Sequence, residues 1–325
     1  MSDFMMRDRS HSATVDVVTV TPNPAIDWTV TVPGFRAGTV NRASADRSQP
    51  AGKGVNVAAA LAGYGVRAAA TGFLGRDNAG AFESFFARTG IEDAFVRVAG
   101  STRVGIKLVD PERQETTDVN FPGAAVSAAD VDALFDAVDA RAADGRWFVL
   151  AGSLPPGAPP TLYADLARRI AARGGRVALD TSGDALRHAL EAAPSVVKPN
   201  VHELQSLVGT ALASVDDVMD AARGLLEGGV ELAAVSMGAE GALFVAREGV
   251  VLARPPSIDV GSSVGAGDAM VAGIVAARLA GLDLVRTARL ATGFSLAALT
   301  RADAAPATRD AVEAMARRVE VETIG

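Results

Sequence analysis

Short apolar segments alternate with amphipathic helical segments along most of the chain. Segments rich in β-branched and other apolar residues predict buried strands at 15–21, 67–73, 147–151, 177–180, 195–198 and 232–237. Apolar residues that recur every three or four positions predict helices at 55–63, 80–89, 128–141, 161–172 and 215–226. Ser214 and Asp217 resemble a capping box at the start of the last helix. Alternating strands and helices predict an α/β fold with a mostly parallel central sheet.

Two segments do not follow this plan. At about 28–48 and 100–122, small or charged residues alternate with apolar ones, as in strands that have one face in water. We expect them to pair into a small second sheet over one edge of the main sheet. Because the chain has no internal repeat and no low-complexity linker, we predict a single domain over 14–325, with residues 1–13 as a disordered leader.

Composition and charge exclude several classes of function. The 31 Lys and Arg against 38 Asp and Glu give a net charge of −7, which disfavours a nucleic-acid partner. The chain has no cysteine, so disulfides, thiolate catalysis and Cys-ligated metals are excluded. No apolar segment is long enough to span a membrane, and the polar first residues lack the apolar core of a signal peptide. We therefore expect a cytoplasmic protein without a membrane partner.

The segment SSVGAGDAM at 262–270 opens an apolar helix that we predict to continue to Ala280. Gly265, Ala266 and Gly267 would leave backbone N–H groups free at the helix N-terminus, where the helix dipole attracts anions. Asp268 in the first turn can act as a general base beside this anion site. The alternative is that Asp268 only caps the helix, a position that Asp favours.

A second glycine-rich turn, PAGKGVNV at 50–57, also leads into a helix. Its spacing is not that of a Walker A loop, and it is not the dinucleotide fingerprint directly after the first strand. Lys53 can hold a phosphate and Asn56 can bind hydroxyl groups. The alternative is a solvated Lys53 and an Asn56 that forms only structural hydrogen bonds.

Two further segments offer polar groups near predicted strand ends. Asn200 and Glu203 share one face at the start of a helix, and their oxygens suit a hydrated Mg²⁺ near phosphates. An N-cap with a capping box explains the same pair without a ligand. Between two strands, the turn SMGAEGA at 236–242 is either a simple hairpin or a wall against which a nucleotide lies.

These four segments and TPNPAID at 21–27 resemble the PfkB (ribokinase-like) family of sugar kinases. GFLGRDN at 72–78, STRVGIK at 101–107 and AGSLPPG at 151–157 add to the resemblance, which runs from about residue 15 to the final helix. It implies a ribokinase-like three-layer α/β sandwich whose lid is a small β-sheet formed by the segments at 28–48 and 100–122. Within the family, the segments are most similar to those of kinases that act on fructose 1-phosphate.

The resemblance also implies roles for individual residues. It makes Asp268 the catalytic base, with Gly265, Ala266 and Gly267 as the anion hole. ATP contacts fall on Lys198, Asn200, Ser236, Gly238, Ala239, Glu240, Gly241 and Gly267. Sugar contacts fall on Asp27, Gly52, Lys53 and Asn56, while Arg103 and Lys107 project from the lid to hold the phosphate already on the substrate. Asn200 and Glu203 organise Mg²⁺ and the ATP phosphates.

The implied reaction transfers the γ-phosphoryl group of ATP to the free primary hydroxyl of fructose 1-phosphate. Alternatives within the class are phosphorylation of fructose 6-phosphate or tagatose 6-phosphate, and an alternative of another class is a catalytically silent sugar-phosphate sensor. The lid can also pair with a second copy in a homodimer. Two positions depart from the family pattern: Ser262 replaces an Asp of the monovalent-cation site of ribokinase, and Ala51 replaces a frequent Gly.

Overall fold

The computed structural model describes residues 15–258, 265–300 and 305–324. The predicted leader at 1–13 and Ser262 lie outside these residues. In the described part of the chain, no helix combines the length and the apolar character needed to cross a membrane.

Strands and helices alternate as the apolar pattern predicts. In chain order the strands are β1 (Val17–Thr21), β2 (Ala25–Thr31), β3 (Ala45–Ala51), β4 (Ala68–Gly75), β5 (Glu92–Asp93), β6 (Val96–Val98), β7 (Arg103–Asp110), β8 (Glu115–Asn120), β9 (Trp147–Ala151), β10 (Arg176–Asp180), β11 (Val196–Val197), β12 (Leu232–Ser236), β13 (Ala242–Ala246), β14 (Gly249–Arg254) and β15 (Glu320–Thr323). The helices are α1 (Lys53–Tyr64), α2 (Gly80–Thr89), α3 (Ala128–Asp139), α4 (Leu162–Ala171), α5 (Gly183–Leu190), α6 (Val201–Val208), α7 (Val215–Glu227), α8 (Ala266–Leu279), α9 (Leu284–Leu299) and α10 (Arg309–Ala316).

The main sheet has eleven strands in the order β15-β14-β13-β12-β11-β10-β9-β1-β4-β5, and β6 also pairs with β4. From β12 to β5 the pairs are parallel, whereas β12 to β15 pair in antiparallel fashion. The prediction of a mostly parallel sheet is confirmed. The alternation of strands and helices did not predict the antiparallel edge, because short turns, rather than helices, join β12, β13 and β14.

Alternate residues of the central strands enter different cores. Val17 and Val149 pack with Met270 and Ile274 of α8, while Val18 and Phe148 belong to the core under α3, α4 and α7. Both faces of the sheet are therefore buried under helices, as the continuous apolar strands predict. This arrangement confirms the three-layer sandwich.

The predicted element boundaries are close but not identical to the observed ones. Helix α1 begins two residues before its predicted start, and the predicted strand at 195–198 is reduced to Val196–Val197 in β11. The capping box of Ser214 and Asp217 is confirmed, with both reciprocal bonds present. Local patterns located these elements because each pattern depends on neighbours within one helical turn or one strand.

A separate four-stranded sheet has the order β3-β2-β7-β8 and confirms the predicted second sheet. Its strands extend beyond the predicted first segment, since they cover Ala25–Thr31 and Ala45–Ala51. Strand β2 follows β1 after three residues, and β3 leads directly into α1. We call this sheet the lid, because these connections hold it at the carboxyl end of β1.

Candidate active site

The carboxyl ends of five neighbouring parallel strands meet at one edge of the main sheet. Strands β1, β9, β10, β11 and β12 are adjacent in the sheet, so the residues that follow them lie along one crevice. Open parallel sheets bind their ligands at this edge. Three of the segments singled out in the sequence follow β1, β11 and β12, and those at 50–57 and 262–270 contain the starts of α1 and α8.

The N-terminus of α8 lies at this crevice. Gly265 is its N-cap at φ +81°, and no side chain of the described residues caps the helix. A Cβ on Gly267 would lie 3.5 Å from Nζ of Lys198, so the Lys198 ammonium group lies beside the first turn. Helix dipole and ammonium group together favour an anion at this point.

Asp268 lies in the same first turn and is buried. Its Oδ2 accepts a hydrogen bond of 2.7 Å from Nδ2 of Asn56, on the first turn of α1. Gly265, not Asp268, occupies the N-cap position. The interpretation of Asp268 as only a helix cap is therefore wrong, and its carboxylate is held by a residue 212 positions away.

Asp180 at the end of β10 is a site residue that the sequence analysis missed. It is 1% exposed, and its Oδ1 accepts a bond of 2.9 Å from Nζ of Lys53 and lies 3.6 Å from Nζ of Lys198. Its Oδ2 is buried without a hydrogen-bond partner among the residues that the structure covers. A carboxylate directly after the apolar residues 177–179, at the carboxyl end of a parallel strand, was the signal that could have revealed it.

These charges shift the protonation of the cluster. Burial, with a smaller contribution from the Asp180 carboxylate, raises the pKa of Asp268 to about 6, against the opposing effects of Asn56, Lys53 and Lys198. For Lys53, burial lowers the pKa, but the attraction and hydrogen bond of Asp180 outweigh it, so the pKa is raised. Near neutral pH, Asp268 is thus ionised and more basic than an ordinary carboxylate.

Two glycines let α1 approach the end of β1. Gly52 has φ +128°, and a Cβ there would lie 2.8 Å from Cγ2 of Thr21. A Cβ on Gly54 would collide with Oγ1 of Thr21. Lys53 and Asn56 reach the site because α1 begins in direct contact with this strand end. The Lys53 side chain is 37% exposed, and its ammonium group pairs with the buried Asp180.

The segments around Asn200 and Ser236 also meet. Asn200 forms a parallel β-bridge with Ser236, whose N–H donates to the carbonyl of Pro199 at 3.1 Å. Asn200 and Glu203 form a full capping box: Oδ1 of Asn200 accepts from Glu203 N–H at 2.8 Å, and Oε2 of Glu203 accepts from Asn200 N–H at 2.9 Å. The capping explanation of the pair is therefore correct, and it uses one oxygen of each side chain.

The turn after β12 is a hairpin that contains the short helical turn Gly238–Glu240. It joins the antiparallel strands β12 and β13, and Met237 N–H closes it by donating to the carbonyl of Gly241 at 2.8 Å. Gly241 has φ +102°, and a Cβ there would collide with the carbonyl of Ala253. The glycine thus keeps the turn flat against β14.

One face of the lid carries charged groups. Asp27 pairs in register with Gly105, and a Cβ on Gly105 would lie 2.9 Å from Oδ1 of Asp27. Lys107 lies 3.8 Å from Asp27 and 3.0 Å from Asp118. Burial raises the pKa of Asp27, although Lys107 and Arg103 oppose this shift. Arg103 and Lys107 share a face, as alternation along β7 predicts.

Arg103 borders an open cleft of about 440 Å³. Its Nη1 donates to the carbonyl of Phe121 at 3.0 Å and its Nη2 to the carbonyl of Asn23 at 3.3 Å, while Nε is buried without a partner in the described residues. Asn23 Nδ2 donates to Oγ of Ser153 at 3.2 Å in the same cleft. Asn23 and Ser153 were missed as site residues, although both lie in Pro-containing turns after strands β1 and β9.

The polar groups of the site suit a hard cation that brings its own ligands. No group of three or more His, Cys, Asp or Glu side chains that could hold a metal occurs in the described ranges. Asn200 and Glu203, at the N-terminus of α6, offer oxygen donors beside the end of β12. Because Mg²⁺ prefers oxygen, keeps several waters and binds phosphates, this donor set fits an Mg²⁺ ion carried by a nucleotide.

Comparison with known proteins identifies the family of the chain. The family model described as pfkB family carbohydrate kinase matches residues 17–311. The chain is 49% identical over 312 residues to the 1-phosphofructokinase of Rhodobacter capsulatus, covering 96% of this chain and 99% of the relative. It is 37% identical over 308 residues to the 1-phosphofructokinase of Escherichia coli strain K12, covering 94% of this chain and 98% of the relative.

Solved structures also share the fold. The crystal structure of phosphofructokinase-2 from Escherichia coli in complex with fructose-6-phosphate matches with a TM-score of 0.85 and 29% identity, covering 94% of this chain and 99% of that one. The family match spans most of the chain, and the relatives match over nearly their whole length. The chain therefore belongs to the pfkB family of carbohydrate kinases, which are phosphotransferases that act on an alcohol group.

Proposed function

We propose that the protein is a 1-phosphofructokinase, which transfers the γ-phosphoryl group of ATP to the free primary hydroxyl of fructose 1-phosphate and forms fructose 1,6-bisphosphate. The observation that carries this proposal is the position of Asp268 in the first turn of α8, with a separate cationic cleft at Arg103. The first arrangement suits a reacting hydroxyl, and the second suits a phosphate that does not react. The names of the two relatives support this assignment.

In this proposal Asp268 is the catalytic base. The acceptor hydroxyl loses its proton as it attacks the γ-phosphorus, and a carboxylate within hydrogen-bond reach can take that proton. Its pKa of about 6 suits this task near neutral pH. The hydrogen bond from Asn56 holds one carboxylate oxygen and leaves the other for the acceptor.

The transferred phosphoryl group would be stabilised by the N-terminus of α8. Backbone N–H groups of Gly265, Ala266 and Gly267 form the proposed anion hole, and Lys198 adds a positive charge beside it. Preorganised donors of this kind stabilise the charge of the transition state without reorganisation. Asp180 keeps Lys53 and Lys198 in place while the site is empty of phosphates.

The nucleotide would lie along the ends of β11 and β12. We assign to it the side chains and turn residues Lys198, Asn200, Ser236, Gly238, Ala239, Glu240, Gly241 and Gly267. Asn200 and Glu203 would bind the Mg²⁺ ion indirectly, through its water ligands. When bound, Mg²⁺ neutralises charge on the ATP phosphates.

The sugar phosphate would lie between the lid and α1. Its hydroxyl groups are assigned to Asp27, Gly52, Lys53 and Asn56. Its phosphate is assigned to Arg103 and Lys107, and Arg103 is the stronger candidate because Lys107 already pairs with Asp118. Asn23 and Ser153 add polar groups to the same cleft.

Fructose 6-phosphate is the main competing acceptor, since a similar Escherichia coli structure holds it. The identity of 49% to a named 1-phosphofructokinase, against 29% to phosphofructokinase-2, favours fructose 1-phosphate. Tagatose 6-phosphate is a further alternative. A silent sensor is disfavoured because base, anion hole and magnesium donors occur together, as is usual where chemistry takes place.

Product analysis tests the proposed reaction. We expect ³¹P NMR of the protein with ATP, Mg²⁺ and fructose 1-phosphate to show growing signals of fructose 1,6-bisphosphate and ADP in equal amounts. ADP without the bisphosphate would mean hydrolysis rather than transfer. If neither product formed, the result would support the sensor and contradict the proposed function.

The pH dependence of the reaction follows from the pKa of Asp268. Only the ionised carboxylate accepts a proton, so kcat/KM should fall as the pH drops through about 6. Asp180→Asn removes a negative charge that raises this pKa, so the fall should move to lower pH. The control Asp184→Asn changes an exposed carboxylate of α5 and should leave the profile unchanged. A fall that stays in place or moves upward in Asp180→Asn would contradict this account.

We also propose that the lid pairs with a second copy of the chain. Opposite its charged face, the lid carries an apolar stripe on which Trp28 and Val119 are 41% and 44% exposed. The stripe consists of Trp28, Val30, Val104, Ile106, Leu108 and Val119. A two-fold arrangement would cover both copies of it at once. One similar structure is described as a tetrameric form of phosphofructokinase-2.

Sedimentation analysis tests this pairing. We expect the unaltered protein to be a dimer and Trp28→Glu to be a folded monomer, because a buried carboxylate would oppose the contact. Val40→Glu changes an exposed residue outside the stripe and should remain a dimer. A monomeric unaltered protein, or a dimeric Trp28→Glu, would contradict the proposal.

The single domain at 14–325 and the cytoplasmic location stay predictions.

A further inference from the structure

The helical turn Arg76–Asn78, part of GFLGRDN, has no role in the mechanism above, yet it holds the residue before β7. The side chain of Asn78 forms hydrogen bonds with both backbone groups of Thr102, its N–H and its carbonyl. Its Oδ1 accepts a bond of 2.8 Å from Thr102 N–H, and its Nδ2 donates a bond of 2.9 Å to the Thr102 carbonyl. A side-chain amide has both the donor and the acceptor that this pair of hydrogen bonds requires.

Further contacts fix the same backbone. Gly75 N–H donates to Oγ1 of Thr102 at 2.9 Å, and Asp77 N–H donates to the carbonyl of Gly100 at 3.1 Å. A Cβ on Gly75 would collide with the backbone of Ser101 and Thr102. The end of β4 and the start of β7 are therefore joined by hydrogen bonds and by a close approach that only glycine allows.

Arg103 follows Thr102 directly and is the first residue of β7. The only partners of its guanidinium group in the described residues are the neutral carbonyls of Phe121 and Asn23, and no carboxylate lies within ion-pair distance. Hydrogen bonds to two backbone carbonyls, rather than an ion pair, therefore hold the guanidinium group. Its direction depends on the position of the backbone, which Asn78 holds one residue earlier.

We propose that Asn78 is a positioning residue for the substrate phosphate. It fixes the Thr102 peptide so that Arg103 points into the cleft, at the point where the existing phosphate of the sugar would bind. The inference rests on the proposed function, because it assumes that Arg103 binds that phosphate. It goes further by giving the GFLGRDN segment a specific task in substrate recognition.

A double-mutant cycle tests the role of Asn78. Asn78→Ala should raise the KM for fructose 1-phosphate about tenfold, less than the roughly 100-fold that a misplacement of 1 Å can cause. The KM for ATP should stay within about twofold, since none of the residues assigned to ATP forms a hydrogen bond with this turn in the described part of the chain. In an Arg103→Ala background, Asn78→Ala should add less than about twofold, because residues that act through one group are not additive. The same factor in both backgrounds would overturn the proposal, and so would an equal rise of both KM values.

A matched control separates positioning from general stability. The side chain of Asn41 bonds both backbone groups of Arg36 in the same way: it accepts from the N–H at 3.0 Å and donates to the carbonyl at 2.8 Å. Asn41→Ala should leave both KM values unchanged. If Asn78→Ala does not fold, Asn78→Asp keeps an acceptor for Thr102 N–H but puts a second acceptor where Nδ2 donates to the Thr102 carbonyl, and it should raise the same KM selectively; an unchanged KM there would overturn the proposal.

The experiment also distinguishes the two levels of inference. Turnover of fructose 1-phosphate by the unaltered protein, with no KM effect of Asn78→Ala, would overturn only the role of Asn78. If the unaltered protein instead used fructose 6-phosphate, the proposed function would fail. The same cycle run with that sugar phosphate would still decide whether Asn78 acts through Arg103.

Discussion

Asp268→Asn should lower kcat by about 10²- to 10⁴-fold, the range that general base catalysis supplies. The substitution keeps the shape of the side chain and removes its basicity. Binding of the sugar phosphate should be roughly retained, because Asn can still form hydrogen bonds with the acceptor. Stopped assays of kcat, together with calorimetric binding of fructose 1-phosphate, measure the two effects separately.

A control for Asp268→Asn is Asp184→Asn, which changes a carboxylate in the first turn of another helix. It should keep the kcat of the unaltered protein. If Asp268→Asn kept most of its turnover, Asp268 would not be the base. The burial of its carboxylate and its hydrogen bond with Asn56 would then be structural features only.

Arg103→Ala should raise the KM for fructose 1-phosphate by about tenfold to 100-fold. A hydrogen bond to a charged group contributes about 1.5–3 kcal/mol, and each 1.4 kcal/mol corresponds to a factor of ten. The KM for ATP should change little, since Arg103 lies in the cleft under the lid. The guanidinium group can bind a phosphate with two parallel bonds, so Arg103→Lys should recover only part of the loss.

Both KM values must be titrated separately for this variant. Arg176→Ala is a suitable control. Arg176 lies at the amino end of β10, whereas the site lies at the carboxyl ends of the strands, and it pairs with Glu231. It should leave both KM values unchanged. An unchanged KM for the sugar phosphate in Arg103→Ala would remove Arg103 from the site and leave the lid without a phosphate contact.

Features that depend on near neighbours in sequence were predicted well. The apolar strands, the amphipathic helices and the capping boxes at Ser214 and Asn200 arise from contacts within a few residues. The lid was predicted because apolar residues alternate with small or charged ones along its strands, as in a sheet with one solvent-exposed face. Strand order at the antiparallel edge was not predicted, because pairing between β14 and β15 joins residues about 70 positions apart.

The candidate site was predicted in part for the same reason. Motifs located Asp268, Asn56, Asn200 and Arg103, but not the contacts among them. The bond from Lys53 to Asp180 spans 127 positions and the bond from Asn23 to Ser153 spans 130, so no local pattern reports either. The motif GFLGRDN adds to the family resemblance, whereas only the fold reveals that its Asn78 forms hydrogen bonds with the backbone of Thr102.

The relative kcat/KM for fructose 1-phosphate, fructose 6-phosphate and tagatose 6-phosphate tests the central claim most directly. A coupled assay of ATP consumption with one enzyme preparation gives all three values. We predict that fructose 1-phosphate exceeds each of the others by at least about tenfold, a difference of about 1.4 kcal/mol. An equal or higher kcat/KM for either 6-phosphate would contradict the proposal that the protein is a 1-phosphofructokinase.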